Sequence, residues 1–190
     1  MVTQRRREGM DGFSLKDYDD IYLDTCALLA KDFRDWLRQW LPELLRTGKK
    51  LKIPYPVAQE LAYLAQGITS NCCREAGQAK DLVRNLVENR LAELSGDRSV
   101  SQQADLYLVK TASSDRFQRR IAVITQDKQL TEDLRLLNRI GVANPIHTYK
   151  LSQGKLIPTG KNCRIGAEKE QRTPVPCADN ASEICKLLRL

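Results

Sequence analysis

Short apolar runs alternate along this chain with longer segments of helical periodicity. The runs DDIYLDT, LKIPY and IAVIT are bounded by polar residues or prolines, and IAVIT is apolar on both faces, as in a central strand. In the segments between them, apolar residues recur every three or four positions, as in amphipathic helices. This alternation predicts a doubly wound, three-layer α/β/α sandwich around a central, mainly parallel sheet.

The helical segments of the first half carry start and stop signals. A helix in CALLAKDFRDWLRQWL is expected to break or restart at Pro42, and the following PELLRT to end at Gly48. The next helix includes Pro56 in its first turn, where proline is well tolerated. The longest helix is expected from Ser70 to Leu94, because apolar residues recur there at helical spacing.

The second half repeats the alternation. Ser99 or Ser101 is expected to cap a helix that contains Asp105. The strand IAVIT is followed by the helical segment KQLTEDLRLLNRI, which Gly141 terminates. The segment VANPIHTYKL predicts a last strand, and the turn SQGK joins it to LIP as a hairpin.

Length and composition favour a single domain with two appendages. A chain of 190 residues that is 42% apolar can bury one full core, which we place at residues 19–158. Residues 1–18 are polar and aperiodic and predict a flexible basic arm. Residues 159–190 are expected to form an irregular basic tail. Within it, Asn180 and Glu183 are expected to form a capping box that opens a short C-terminal helix.

Four acidic residues carry the candidate chemistry. Asp24 and Asp127 follow apolar strands, whereas Glu60 and Asp105 lie in the predicted helices. Ligands of open parallel sheets bind where the carboxyl ends of the strands meet, and the four side chains are expected to converge there. Four carboxylates in one place repel one another unless they are protonated or a cation neutralises them. Ligands that are all oxygen favour Mg²⁺ or Mn²⁺.

Each of these acids also has an ordinary structural interpretation. Asp24 and Asp127 precede predicted helices, and each could cap the helix that follows. Glu60 and Asp105 could be exposed helix charges, as most such residues are. Asp97 or Asp115 replaces Asp105 as the candidate ligand if the helix boundaries are misplaced.

The charge of the chain points to an anionic partner. The formal net charge is +7, and its concentrated parts are Arg5, Arg6 and Arg7, then Lys49, Lys50 and Lys52, then Arg116, Arg119 and Arg120. Basic surface around an acidic site suits a protein that attracts phosphates and holds a cation to act on them.

Several other classes of function lack their signatures. A single histidine, His147, leaves no acid–base pair of histidines, and no GxxxxGK[ST], GxGxxG or GxSxG motif occurs. The six cysteines show no CxxC spacing, which disfavours a zinc site. No apolar stretch reaches the roughly 18 residues of a membrane span, and no apolar segment follows the basic N-terminus. We therefore expect a cytoplasmic protein with reduced thiols.

Taken in order, these motifs resemble those of the PIN-domain nucleases over residues 20–151. The shared elements are D-T-x-x-L-L from Asp24, V-x-x-E-L around Glu60, A-D-x-x-L around Asp105 and T-x-D-x-x-L from Thr125. The resemblance implies that Asp24, Glu60, Asp105 and Asp127 bind Mg²⁺ or Mn²⁺. It gives Thr125 the part of a supporting hydroxyl near the metal.

The resemblance implies an endoribonuclease that hydrolyses phosphodiester bonds with metal-activated water. DNA is not excluded as a substrate, because RNA and DNA present the same phosphates. The family also contains toxins of toxin–antitoxin pairs similar to VapC, which implies an antitoxin or other protein partner and a homodimer. The alternative is an inactive PIN-like module that binds RNA or a protein partner without turnover.

Overall fold

A computed structural model of the chain describes residues 13–67, 71–98, 103–141, 143–159 and 186. The helices in these ranges are α1 (Thr25–Leu28), α2 (Phe33–Thr47), α3 (Tyr55–Leu64), α4 (Asn71–Glu88), α5 (Ala104–Asp115) and α6 (Lys128–Asn138). The strands are β1 (Asp20–Leu23), β2 (Leu51–Pro54), β3 (Ala92–Ser95), β4 (Ile121–Ile124), β5 (Ile146–Ser152) and β6 (Lys155–Pro158). The predicted capping box at Asn180 and Glu183 lies outside the described residues, as do Arg5, Arg6 and Arg7.

The strands form one mainly parallel sheet with helices on both faces. Their order is β3-β2-β1-β4-β5-β6, and β6 pairs antiparallel with β5. Ile21 and Leu23 of β1 share a core cluster with residues of α2 and α4, whereas Tyr22, between them, shares another with residues of α5 and α6. Alternate residues of a strand point to opposite faces, so the sheet is covered on each side. The predicted three-layer α/β/α sandwich is confirmed.

The prediction of one long helix that reaches Leu94 was wrong in its second part. Helix α4 ends at Glu88, and Arg90 takes a left-handed backbone with φ of 59°. Ala92–Ser95 then form β3, which pairs in parallel with β2 at the edge of the sheet. The sequence AELS lacks the apolar run by which a buried strand is recognised. In the structure only Ala92 of this strand is buried.

The first predicted helix also differs in detail. It divides into α1 and α2, and Pro42 lies inside α2 instead of breaking it. Apolar residues on both sides of Pro42, among them Trp36 and Leu44, are buried in the core, and this burial offsets the hydrogen bond that proline removes. Gly48 ends the helix with φ of 65°, as predicted.

The described part of the predicted flexible arm, residues 13–18, packs on the core instead. Phe13, Leu15 and Tyr18 are buried, and the Phe13 ring contacts the rings of Tyr18, Trp40 and Tyr149. Three apolar residues separated by polar ones follow neither a helix nor a strand period, so the sequence carries no signal for this segment.

Two further predictions concern turns. The hairpin of β5 and β6 is confirmed, and its turn residues Gln153 and Gly154 have φ of 52° and 70°, as a type I′ turn requires. Helix α5 is preceded by Gln103, which makes no side-chain cap hydrogen bond. The predicted capping residues Ser99 and Ser101 lie outside the described residues.

A hydrogen-bonded network around His147 predicts that protonation of this side chain destabilises the fold. The Tyr18 hydroxyl lies 2.6 Å from His147 Nδ1 and 2.5 Å from the Tyr149 hydroxyl. Burial lowers the pKa of His147 from 6.5, although the charge of Asp17 opposes this. Because the unfolded chain binds a proton more readily, the contribution of His147 to stability is present above about pH 6.5 and is lost as the pH falls below it.

We therefore expect the free energy of unfolding of the wild type to fall relative to that of His147→Gln between about pH 7 and about pH 5.5, because the opposite effect of the raised Asp24 pKa is present in both proteins. Urea unfolding of both proteins across this range measures it. Parallel curves for the wild type and the variant would contradict the assignment.

Candidate active site

The acid that follows β1 lies beside the hydroxyl that follows β4. Leu23 pairs with Ile124 in the parallel ladder, so the next residues, Asp24 and Thr125, leave the sheet side by side. Thr125 Oγ1 donates to Asp24 Oδ2 at 2.7 Å, and the backbone N–H of Thr25 donates to Asp24 Oδ1 at 2.7 Å. The Asp24 side chain is 2% exposed, so both of its oxygens are held by hydrogen bonds within the protein.

Asp127 is joined to this pair through its backbone. Its N–H donates to Thr125 Oγ1 at 2.9 Å, while its carboxylate Oδ1 accepts from the N–H groups of Gln129 and Leu130 at 2.6 and 3.0 Å. Asp127 is thus the N-cap of α6, and Asp24 is likewise the N-cap of α1. The capping interpretation is therefore correct for both residues, and it leaves Asp127 Oδ2 without a hydrogen bond to the described residues.

Glu60 reaches the same edge from α3. Thr25 Oγ1 donates to Glu60 Oε2 at 2.6 Å, so Thr25 contacts Asp24 through its backbone and Glu60 through its hydroxyl. In the sequence, Thr25 is marked only by its place in the D-T-x-x-L-L motif. A threonine after a strand carries no signal of a partner on a distant helix, and its linking role emerges only from the packing of α1 against α3.

The carboxylates at this edge influence one another electrostatically. Burial raises the pKa of Asp24 to about 6; the hydrogen bonds from Thr125 and Thr25 oppose the rise, and the charges of Asp105 and Glu60 add to it. Partial burial, followed by the charges of Asp127, Glu60 and Asp133, raises the pKa of Asp105. The structure therefore brings the four predicted acids within electrostatic range of one another.

The position of Asp105 distinguishes it from its two alternatives. Asp115 stands at the far end of α5 and accepts a hydrogen bond from the Tyr22 hydroxyl at 3.0 Å, while Asp97 is exposed in the loop after β3. Neither contributes to the raised pKa of Asp24 or Asp105. Asp133 of α6 does act on Asp105, a contribution that a single acid on a helix does not signal in the sequence.

Cys26 lies at this edge as well. Partial burial and then the negative charges of Asp24, Asp127, Glu60 and Asp105 raise the pKa of its thiol to about 11. It is a free thiol, as is Cys73. At neutral pH the Cys26 sulfur is therefore protonated and a poor ligand for a metal ion.

The donor atoms at this edge match a hard divalent cation. They are the carboxylates of Asp24, Glu60, Asp105 and Asp127, and none of these forms an ion pair with a lysine or arginine of the described residues. The oxygen-only donor set fits Mg²⁺ or Mn²⁺. In the described ranges, however, no three His, Cys, Asp or Glu side chains are already gathered closely enough to hold an ion.

Four of the basic residues singled out in the sequence, which the structure describes, lie elsewhere. Lys52 and Arg119 both bind Asp20 at the start of β1, each with an N–O distance of 2.9 Å. Arg120 pairs with Asp19, and the buried Arg116 donates to the carbonyls of Leu137 and Ile140. These contacts are at the amino ends of the parallel strands, about 13 Å from the acidic edge. For these four residues, the expectation that basic surface surrounds the acidic site was wrong.

Within the ranges that the structure describes, no helix has both the length and the apolar character that crossing a bilayer demands.

Six chains of solved structures are similar to this one, including the two that follow. One is the PIN domain endonuclease Utp24, at 20% identity and a TM-score of 0.48, with 74% of this chain and 90% of that chain covered. The other is a domain of a functionally unknown protein from Methanocaldococcus jannaschii DSM 2661, at 22% identity and a TM-score of 0.40, with 82% and 98% covered. No protein-family model and no curated protein matches. The likeness concerns the fold alone.

Proposed function

We propose that this protein is a metal-dependent nuclease that hydrolyses RNA phosphodiester bonds at the acidic edge of the sheet. The observation that carries the proposal is the hydrogen-bonded set of Asp24, Thr25, Glu60 and Thr125 at the carboxyl ends of the strands. Burial there raises the pKa of Asp24, and the charges of Asp105 and Glu60 add to the rise. A helix cap alone has no need of this arrangement, because Asn or Ser caps a helix as well as Asp without the burial of a charge.

In this proposal the side chains divide into ligands and supports. Asp24, Glu60, Asp105 and Asp127 would hold Mg²⁺ or Mn²⁺, whose chemistry is to activate water and to stabilise negative charge on the phosphate. Thr125 and Thr25 orient the carboxylates of Asp24 and Glu60 by donating to them. Water attacks phosphorus opposite the 3′ oxygen, and the bond between phosphorus and the 3′ oxygen breaks. The products carry a 5′-phosphate and a 3′-hydroxyl.

RNA is proposed as the substrate on the resemblance to PIN-domain nucleases. The same resemblance underlies the proposals of a homodimer and of an antitoxin or other protein partner. The direct test incubates the purified protein with labelled RNA and DNA oligonucleotides of one sequence, with Mg²⁺, Mn²⁺ or EDTA. Cleavage of RNA that EDTA abolishes supports the proposal. Equal cleavage of DNA would show that the proposed restriction to RNA is wrong.

Metal binding is predicted to depend on Asp127 without any change of fold. Asparagine is an equally good N-cap, so Asp127→Asn keeps the start of α6 while it removes a negative charge. We expect Mn²⁺ to bind the wild type and the affinity of the variant to fall at least about tenfold. Isothermal titration calorimetry measures both affinities.

Glu132→Gln is the matched control for this titration. Glu132 is an exposed residue of the same helix and pairs with Arg135, so its loss is expected to leave Mn²⁺ affinity unchanged. Equal Mn²⁺ affinity in the wild type and in Asp127→Asn would remove Asp127 from the ligand set.

A second function is favoured by the capping roles of Asp24 and Asp127. A protein whose acids only cap helices would be an inactive PIN-like module that binds RNA or a protein partner. Its signature is RNA binding without cleavage, together with no calorimetric response to Mn²⁺ in the wild type.

A further inference from the structure

An open groove of about 550 Å³ lies between α3 and α5, directly beside the acidic edge. Its lining includes Glu60 and Asp105, which belong to the proposed catalytic set, and also Gln59, Tyr63 and Gln103. The groove is therefore continuous with the proposed site. A ligand that fills the groove along α3 therefore also places part of itself at the acidic edge.

Tyr63 is the most exposed large side chain of this groove. It is 78% exposed, and it follows Glu60 by three residues and Gln59 by four. Residues at these spacings share one face of a helix, about one turn apart. The phenol ring thus stands beside the carboxylate of Glu60 with its area open to solvent.

The chemistry of this lining matches a nucleobase. An exposed aromatic ring can stack on any base, because every base has a π-face. The amides of Gln59 and Gln103 offer both donors and acceptors, as the edge of a base requires. In a duplex both faces of each base are stacked, so only an unpaired nucleotide can present a face to Tyr63.

A cation stands near one end of the groove. Arg98, in the loop after β3, places its guanidinium 5.5 Å from the centre of the Tyr55 ring, and Tyr55 begins α3 next to the groove residue Pro56. Arg98 forms no ion pair with another described residue. Its charge can therefore attract the phosphate backbone of a strand that enters the groove.

We propose that the groove between α3 and α5 binds an unpaired nucleotide of a single-stranded substrate, with its base stacked on Tyr63, beside the phosphate at the acidic edge. The inference rests on the proposed nuclease function and names the side chain that holds a base of the substrate next to the cleaved phosphate.

The test measures binding apart from cleavage. The fluorescence anisotropy of a labelled single-stranded RNA oligonucleotide is followed in protein that carries Asp24→Asn, with and without Tyr63→Ala or Tyr63→Phe. Stacking on an aromatic side chain is worth about 1 to 3 kcal/mol per base, so Tyr63→Ala is expected to weaken binding about 5- to 150-fold. Tyr63→Phe keeps the ring and is expected to retain affinity.

Phe117→Ala is the matched control. Phe117 is 62% exposed but follows the far end of α5, so its loss is expected to leave affinity unchanged. The same RNA annealed to its complement is expected to bind more weakly, with no dependence on Tyr63.

The outcomes separate this proposal from the nuclease proposal. If the wild type cleaves RNA but Tyr63→Ala binds single strands as tightly as its parent, the groove proposal is overturned and the nuclease proposal stands. If the wild type fails to cleave, yet binds single strands through Tyr63, the groove proposal stands and the nuclease proposal fails. Equal affinity for the duplex and the single strand also overturns the groove proposal.

Discussion

Asp24→Asn is expected to lower metal-dependent RNA cleavage at least about a hundredfold while the fold stays intact. Loss of a residue that merely supports a metal ligand costs about 10- to 100-fold, and a ligand itself should cost at least the upper value. Asparagine has the same shape and can still accept the 2.7 Å hydrogen bond from the Thr25 N–H. The cap of α1 is therefore kept and the negative charge is lost.

The same substitution is expected to stabilise the metal-free protein. Burial raises the pKa of Asp24 from 3.8 to about 6, so the folded state holds this proton more tightly than the unfolded state. The charged form therefore reduces stability above about pH 4, and the full cost is present above about pH 6. Removal of the charge is worth about 1 to 3 kcal/mol at pH 8, after allowance for the weaker hydrogen bonds of an amide.

Activity assays with Mn²⁺ and calorimetric melting in EDTA at pH 5 and pH 8 measure these two effects. The gain in melting temperature should be larger at pH 8 than at pH 5. Asp115→Asn is the control, because Asp115 accepts a hydrogen bond from Tyr22 at the other end of α5 and is expected to be dispensable for cleavage. Wild-type cleavage by Asp24→Asn would exclude Asp24 from the mechanism.

The acidic edge could be predicted because strand order determines where strand ends meet. Asp24 and Asp127 each follow a run that is apolar enough to be recognised as a buried strand, and parallel strands carry their following residues to one edge. Thr125 could be placed for the same reason, since it directly follows β4. The helical acids needed the family motifs as well, because a single Glu or Asp on a helix resembles any solvated charge.

The remaining features depend on contacts between distant segments. Strand β3 forms because β2 offers it a ladder of backbone hydrogen bonds, and its own side chains are half exposed. The basic residues Lys52 and Arg119 looked available for phosphates, but the parallel register brings both to Asp20. A count of charges along the chain cannot show which of them are already paired.

Asp20→Asn is expected to lower stability and to leave cleavage intact, which is the opposite of Asp24→Asn. Yet the two acids lie at the two ends of the same strand, and each is 2% exposed. Asp20 accepts from Arg119 through both oxygens, at 3.0 and 2.9 Å, and its Oδ1 also pairs with Lys52. Loss of one member of a buried ion pair costs about 3 to 5 kcal/mol. Arg119 reaches solvent, so we expect a smaller loss of about 1 to 3 kcal/mol.

This loss corresponds to roughly 2 to 4 °C in melting temperature per kcal/mol for a chain of this size, which calorimetry resolves. RNA cleavage per folded molecule should be unchanged, because Asp20 lies at the amino end of β1, away from the acidic edge. Asp35→Asn, which breaks the exposed pair with Arg38, is the control and should cost less than about 0.5 kcal/mol. If Asp20→Asn melted like the wild type but lost cleavage, the separation of a structural edge from a catalytic edge would be wrong.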